Sequence, residues 1–250
     1  MKKFWIVMLA SVFAFLLIGC DKDEDKDETV KPAKVLIGKH ETTLGEYPEN
    51  QYANEVANIV SFADDIGSSY TGYLQIFDKL TWNQDAGTHY SQFKPQDLFP
   101  GYEGDLVVKI YVTESGQNQI FKMTQTGNAE GIILNNALTF EATFSKDAKS
   151  GKFTGFLFTN PSASYIWGTE EWSTTQSGVK TGAAKYWENA SDSAPDIVEY
   201  ELNSNKTGTV TYKPNGVKRF FAKWFLDGSG EITYFNTSGT PTGTNTWVKP

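Results

Sequence analysis

Two pairs of carboxylates stand where acid–base chemistry could use them. Glu170-Glu171 is bracketed by Trp167 and Trp172, and Glu199 and Glu201 share one face of a predicted strand. Glycoside hydrolysis needs two acids about 5–10 Å apart, and indole rings beside such a pair would line a sugar cleft. An exposed strand with polar alternation gives the same pattern, and no acids recur in an E-x-D-x-E-like run. The only histidines are His40 and His89. A catalytic histidine needs an orienting acid and a nucleophile placed by the fold, and no G-x-S-x-G motif appears. Both therefore read as surface residues. Nothing at metal-ligand spacing accompanies them. The run Asp227-Gly-Ser-Gly-Glu231 has acids at calcium-loop-like positions but too few oxygen ligands, so a hairpin turn is expected there. No cofactor motif is present, and the expectation is a protein without catalysis, with a carbohydrate hydrolase as the alternative.

Aromatic residues are the most suggestive side chains. Tyr165, Trp167 and Trp172, followed by Tyr186 and Trp187, concentrate rings in a stretch otherwise rich in Ser, Thr and Gly; Trp82 and Tyr90 flank a second polar turn region. Rings on loops stack on sugar faces or line the mouth of a barrel around a small apolar ligand. Aromatics also fill ordinary β cores. These seven residues are the candidate ligand contacts.

The elements that must position them are strands. From residue 34 onward the apolar pattern has a period of two, the mark of strands with one buried face. Over 137–144, Leu138, Phe140, Ala142 and Phe144 point one way and Thr139, Glu141 and Thr143 the other. Over 105–113, Leu106, Val108, Ile110 and Val112 share a face, and over 197–202 so do Val198, Tyr200 and Leu202. Strands are predicted at 196–203, 207–213, 218–227, 231–236 and 244–248, joined by turn signals including Pro214-Asn215-Gly216 and Asp227-Gly228. Such short connections enforce antiparallel pairing. One amphipathic helix is predicted over 49–66, with Tyr52, Val56, Ile59, Val60 and Ala63 on its apolar face and Gly67 as its stop. Residues 83–104 and 173–195 read as long connections, and 183–189 is readable as a short helix. No internal repeat is evident. The expected fold is all-β: an antiparallel barrel or sandwich of about ten strands with one helix, in a single domain over 34–250. With 39% apolar residues a core is affordable, and a net charge of −8 argues against a nucleic-acid partner.

The stretch Thr207-Gly-Thr-Val-Thr-Tyr212, then 220–227, then Glu231-Ile-Thr-Tyr234 resembles the later strands of bacterial lipocalin-like lipoproteins. In that family a G-T-x-x-Y strand precedes a Trp-bearing strand, and the resemblance implies an up-and-down barrel. It covers about 50 residues, and the first half of the chain does not follow it.

The N-terminus reads as an address. Lys2 and Lys3 precede an apolar run over 4–18 broken only by Ser11, the layout of a secretory signal. At about 1.5 Å per residue the run reaches roughly 22 Å, short of the ~30 Å a spanning helix must cross. It ends in Leu17-Ile18-Gly19-Cys20, which holds the single cysteine of the chain and resembles the lipobox of bacterial lipoproteins. The resemblance implies removal of residues 1–19, a diacylglycerol on the Cys20 thiol and an acyl group such as palmitate on the new amine. Residues 20–33 then form an acidic tether, with six acids over 21–28. This run resembles the export tag that follows the cysteine of surface-displayed lipoproteins in some Gram-negative bacteria; in enteric-type sorting, Asp21 would instead mean retention at the inner membrane. Asp192-Ser193-Ala194 resembles the acceptor of periplasmic O-glycosylation, which would place a glycan on Ser193. The expectation is an outer-membrane or cell-surface lipoprotein that binds a glycan or small apolar ligand, with an envelope assembly subunit contacting an outer-membrane protein as the alternative.

Overall fold

The computed structural model describes residues 31–34, 42–44, 49–98, 104–129 and 131–248, with the side chains of 64–75 excepted. The signal, Cys20, the acidic run and His40 lie outside the described residues. The chain forms helix α1 (Gln51–Ile76), strands β1 (Asn83–Asp85) and β2 (Thr88–Phe93), the single-turn helix α2 (Pro95–Leu98), then β3 (Asp105–Ser115), β4 (Asn118–Ala129), β5 (Ile132–Ser145), β6 (Ser150–Asn160), β7 (Ala163–Thr174), β8 (Lys180–Tyr186), β9 (Asp196–Leu202), β10 (Gly208–Lys213), β11 (Phe220–Trp224), β12 (Gly230–Phe235) and β13 (Pro241–Trp247). All thirteen strands form one antiparallel sheet in sequence order.

The all-β expectation holds, and the finer one is corrected. There are thirteen strands rather than about ten, in one sheet and not a sandwich, and among the described residues β1 and β13 do not pair to close a barrel. The alternation read in β3 and β9 is observed: Leu106, Val108, Ile110 and Val112, and Val198, Tyr200 and Leu202, are buried. In β5 the register slips opposite Met123 and Thr124, so Phe140, Ala142 and Phe144 are buried while Leu138 is half-buried. Side chains from β3 through β13 and from α1 belong to one core cluster, so the sheet wraps its apolar face around the helix.

Helix α1 begins where Asn50 caps it, its Oδ1 accepting the backbone N–H of Tyr52 (2.9 Å) and Ala53 (3.1 Å). Ala53, Val56, Val60 and Ala63 are its buried stripe, laid against strands β7 to β10, β12 and β13. Gly67 does not stop it. The helix runs on to Ile76, where Ile76 and Phe77 are buried; an interior glycine costs about 1 kcal/mol, less than burying two such side chains returns.

Two stretches expected to be connections are strands. Ala86 (φ 45°) and Gly87 (φ 79°) form a tight hairpin that pairs β1 with β2. Residues 180–186 form β8, not a helix, paired to both β7 and β9, and Gly182 fits under Tyr200: a Cβ there would sit 2.4 Å from the phenol oxygen.

That glycine belongs to a repeat that only pairing makes visible. Gly208-Thr-Val-Thr-Tyr212 and Gly230-Glu-Ile-Thr-Tyr234 open β10 and β12, and Gly182-Ala-Ala-Lys-Tyr186 closes β8 with the same spacing. Each glycine pairs with a large ring on the next strand: Tyr200, Trp224 and Trp247 respectively. Gly151 of β6 pairs in the same way with Trp172. Each of these side chains occupies the space that a side chain on its glycine would fill.

Between β5 and β6 the sheet splits. Their pairing runs only from Phe140↔Gly155 to Phe144↔Gly151. The β4–β5 and β6–β7 hairpins continue beyond it, out to Ala129↔Ile132 and Asn160↔Ala163.

Candidate ligand-binding rim

The repeated tyrosines end up at one end of the strands, on the face toward α1. Tyr186 pairs with Asp196, Tyr212 with Val198 and Phe220, and Tyr234 with Phe220. Two of the phenols bond to carboxylates. Tyr212 donates to Asp196 Oδ2 (2.9 Å), and Tyr234 donates to Glu55 Oε2 on α1 (2.5 Å). The Tyr186 ring packs edge-on against Phe62 of α1, centroids 5.5 Å apart. Burial, and then the charges of Glu188, Asp192 and Asp196 and the neighbouring Tyr165 phenol, push the Tyr186 phenol above its ordinary value. Burial and Asp192 do the same to Tyr165. Tyr165, at the start of β7, and Tyr186, at the end of β8, lie at the same end of the strands as Asp192, both rings half-buried. Asp192 is fixed in the β8–β9 loop: its Oδ2 accepts the Asn189 N–H (2.7 Å) and its own N–H donates to the Asn189 carbonyl (3.2 Å). Asp196 also accepts the Asn215 N–H (2.8 Å), which ties the β10–β11 turn to the same rim.

Of the seven expected ligand contacts, the structure places Tyr165 and Tyr186 at the same end of two neighbouring strands. Trp187 is half-buried and next in sequence, its backbone N–H donating to the Trp167 carbonyl (2.9 Å). Three are corrected: Trp82, Trp167 and Trp172 are buried, at 4%, 7% and 4% exposure. Trp82 donates its indole N–H to the Phe77 carbonyl (3.1 Å). Trp167 is the extra residue of a bulge in β7 and covers Gly155, and Trp172 covers Gly151. Tyr90 is half-buried on β2, remote from the rim in register, paired with Tyr111 and with Lys109 Nζ 5.9 Å from its ring centroid. Ser193 is exposed in the β8–β9 loop, as a glycan acceptor must be. Reading the sequence alone missed Tyr212, Tyr234, Asp192, Asp196, Glu55 and Phe62. The five-residue Gly…Tyr spacing was the signal that could have found the tyrosines.

The four glutamates do not assemble. Glu170 is buried on the inner face, while Glu171, Glu199 and Glu201 alternate onto the outer one. Glu170 accepts the Tyr200 hydroxyl in a buried hydrogen bond, and Glu199 is paired with Lys213 (2.5 Å). Beside Tyr200 lies Lys180, 6% exposed, its ammonium 5.3 Å from the Tyr200 ring centroid and 5.7 Å from that of Trp172. This arrangement holds charge in place inside the core; it presents no acid pair across a cleft. His89, expected at the surface, is 8% exposed because residue 89 falls on the inward face of β2, opposite Val112. Asp227 accepts the N–H (3.1 Å) and hydroxyl (2.6 Å) of Ser229, the geometry of a hairpin turn.

The rim carries a pH signature. Burial and then the hydrogen bond to Asp196 push the Tyr212 phenol up to about 12. The folded value stands above the ~10 of an unfolded tyrosine, so this contribution to stability is complete below about pH 10 and is lost as the pH rises through about 12. Urea midpoints measured up an alkaline series should fall in that window, and Tyr212→Phe should remove part of the fall. An unchanged alkaline slope in the variant would contradict the assignment.

Compared with known proteins, the chain matches no family model and no curated sequence, so its assignment rests on its own residues.

Proposed function

We propose that the chain is a lipid-anchored protein of the outer membrane, displayed at the cell surface, whose β body binds a glycan through the tyrosine rim without catalysing a reaction. The observation that carries this reading is that Tyr165, at the start of β7, and Tyr186, at the end of β8, lie at the same end of the strands as the β8–β9 loop that holds Asp192. Half-buried rings offer flat apolar faces for a sugar, and the carboxylates beside them accept hydrogen bonds from hydroxyls; rings with polar groups convergent on them are what a saccharide site requires. The acidic, hydroxyl-bearing edge favours a glycan over the small apolar ligand that the rings alone would also suit. Cys20 supplies the anchor, and two or more acyl chains hold a protein stably on a bilayer.

Calorimetric titration of the full chain against a saccharide panel tests the proposal. Tyr165→Ala and Tyr186→Ala should each weaken binding roughly tenfold, the usual scale for truncating an aromatic anchor, while Tyr90→Ala leaves it unchanged. Binding that is equally indifferent to all three substitutions, or absent across the panel, would remove the rim from the account.

A second reading, an envelope assembly subunit, is favoured by the split in the sheet. Residues 132–139 of β5 and 156–160 of β6 lack their mutual pairing, and unpaired strand edges are ready templates for a strand of another protein. Cross-linking from these edges that recovers one constant outer-membrane protein would support it.

A further inference from the structure

Among the described residues, three of the six exposed large apolar side chains, Ile133, Ile166 and Val217, lie at the rim end of the strands, and the other three lie at the opposite end. Phe225 and Leu226, in the turn between β11 and β12, are 46% and 65% exposed, and Val248, just past β13, is 72% exposed. Trp247 brings the last of these to the same turn: it pairs with Gly230, and its indole N–H donates to the Gly228 carbonyl (2.8 Å). Lys223 Nζ lies 5.7 Å from the Phe225 ring centroid and is paired with Glu231 Oε1 (3.1 Å). Lys206 sits in the β9–β10 turn, its carbonyl accepting the indole N–H of Trp224 (2.9 Å). The one acid of the β11–β12 turn, Asp227, is turned back onto Ser229. Aromatic and aliphatic tips with lysines beside them suit the boundary between lipid headgroups and acyl chains.

A separate observation places the N-terminal chain at this same end. Thr43 donates its hydroxyl to the Phe225 carbonyl (3.0 Å) and its N–H to the Lys206 carbonyl (3.3 Å). Gln119, at the start of β4, donates its side-chain amide to the Ala33 carbonyl (2.7 Å), and Pro32 is buried. The turns that hold residues 115–118, 203–207 and 225–229 all lie at that end of the strands. From Cys20 to Lys31 the chain spans at most about 40 Å fully extended, so an anchor at Cys20 keeps this end close to the bilayer.

We propose that this end of the sheet rests on the membrane, with Phe225, Leu226 and Val248 seated at the headgroup boundary and the tyrosine rim held outward. The inference rests on the acylated Cys20 of the proposed function and adds to it the orientation of the body. Anchor and patch act as two signals for one surface, and the contact prevents the body from tumbling at the end of its tether.

The test uses the full chain purified from its membrane and reconstituted in phosphatidylethanolamine–phosphatidylglycerol vesicles. Mass spectrometry of the N-terminus reads the anchor. With Cys20 acylated, a nitroxide on Leu226→Cys occupies the only free thiol, and Ile133→Cys, in the β4–β5 hairpin at the far end, is the control. The label at 226 should be severalfold more accessible to oxygen than to a water-soluble nickel chelate, and the order should reverse at 133. Phe225→Ser combined with Leu226→Ser should leave the anchor in place and free the body, seen as faster tumbling of a label at 133. An acylated chain whose label at 226 is fully aqueous overturns the orientation and leaves the anchor standing. A label at 226 shielded from both reagents means that another protein covers the patch, and overturns it too. An unacylated Cys20 overturns the anchor, and the orientation with it.

Discussion

Gly230→Ala should destabilise the protein by about 3 kcal/mol, at the upper end of what overpacking a core costs. A Cβ at this position would sit 2.2 Å from Cζ2 of Trp247 and 2.5 Å from the Lys223 carbonyl oxygen. The ring cannot step aside. Trp247 is 1% exposed and held by its hydrogen bond to the Gly228 carbonyl, so displacing it also breaks that bond, which is worth about 1 kcal/mol. The backbone oxygen on the other side belongs to the β11–β12 ladder and cannot yield without unpairing it. Gly243→Ala is the matched control, because a Cβ there meets nothing within 4 Å; its effect should stay within about 0.5 kcal/mol. Combining Gly230→Ala with Trp247→Leu should cost less than the two changes added, since the smaller side chain vacates the contested space. Urea denaturation of the four variants reads all of this, and equal midpoints for Gly230→Ala and Gly243→Ala would refute the ring-over-glycine account of the repeat.

Removing the carboxylate of Glu170 is the second large effect. Glu170 is 4% exposed and accepts the Tyr200 hydroxyl, and the Lys180 ammonium sits against the same Tyr200 ring at 6% exposure. Buried polar groups stay affordable only while partnered. Glu170→Ala strips Tyr200 of its acceptor and takes a negative charge from the surroundings of a buried cation, and should cost about 3 kcal/mol, the scale for breaking a buried charged arrangement from one side. Tyr200→Phe removes only the hydrogen bond to a charged group and should cost about 2 kcal/mol. The double variant should lose less than the sum, with a coupling of about 1 kcal/mol. Purely additive losses would show that the two residues act independently. Loss of glycan binding without loss of stability would move the cluster from the core's support to the binding site.

Much of the architecture was legible because it is written locally. Alternating apolar residues in β3 and β9, and turn pairs such as Asn215-Gly216 with φ of 50° and 76°, specify antiparallel neighbours through the pleat and through backbone sterics alone. The five C-terminal strands were readable to within a few residues for that reason. The β1–β2 hairpin and β8 were not; in β8, Gly182, Ala183 and Ala184 carry no strand signal of their own, and the smallness of Gly182 has meaning only under the Tyr200 ring. The end of α1 was misplaced on the same grounds, since Gly67 is a stop only where no burial of Ile76 and Phe77 lies beyond it.

The candidate site divides along the same line. Composition located a ring-rich stretch around 165–187 but could not say which face each ring takes, and a single bulge in β7 is enough to put Trp167 inside beside Trp172. The convergence of Tyr186, Tyr212 and Asp196 depends on the register of three strands, and that of Tyr234 with Glu55 on a contact between residues 179 positions apart. Patterns of period two and turn chemistry are properties of neighbouring residues, so the chain alone determined an antiparallel, strand-built body. Which side chains meet across that body is set by packing around α1, and only the folded sheet decided it.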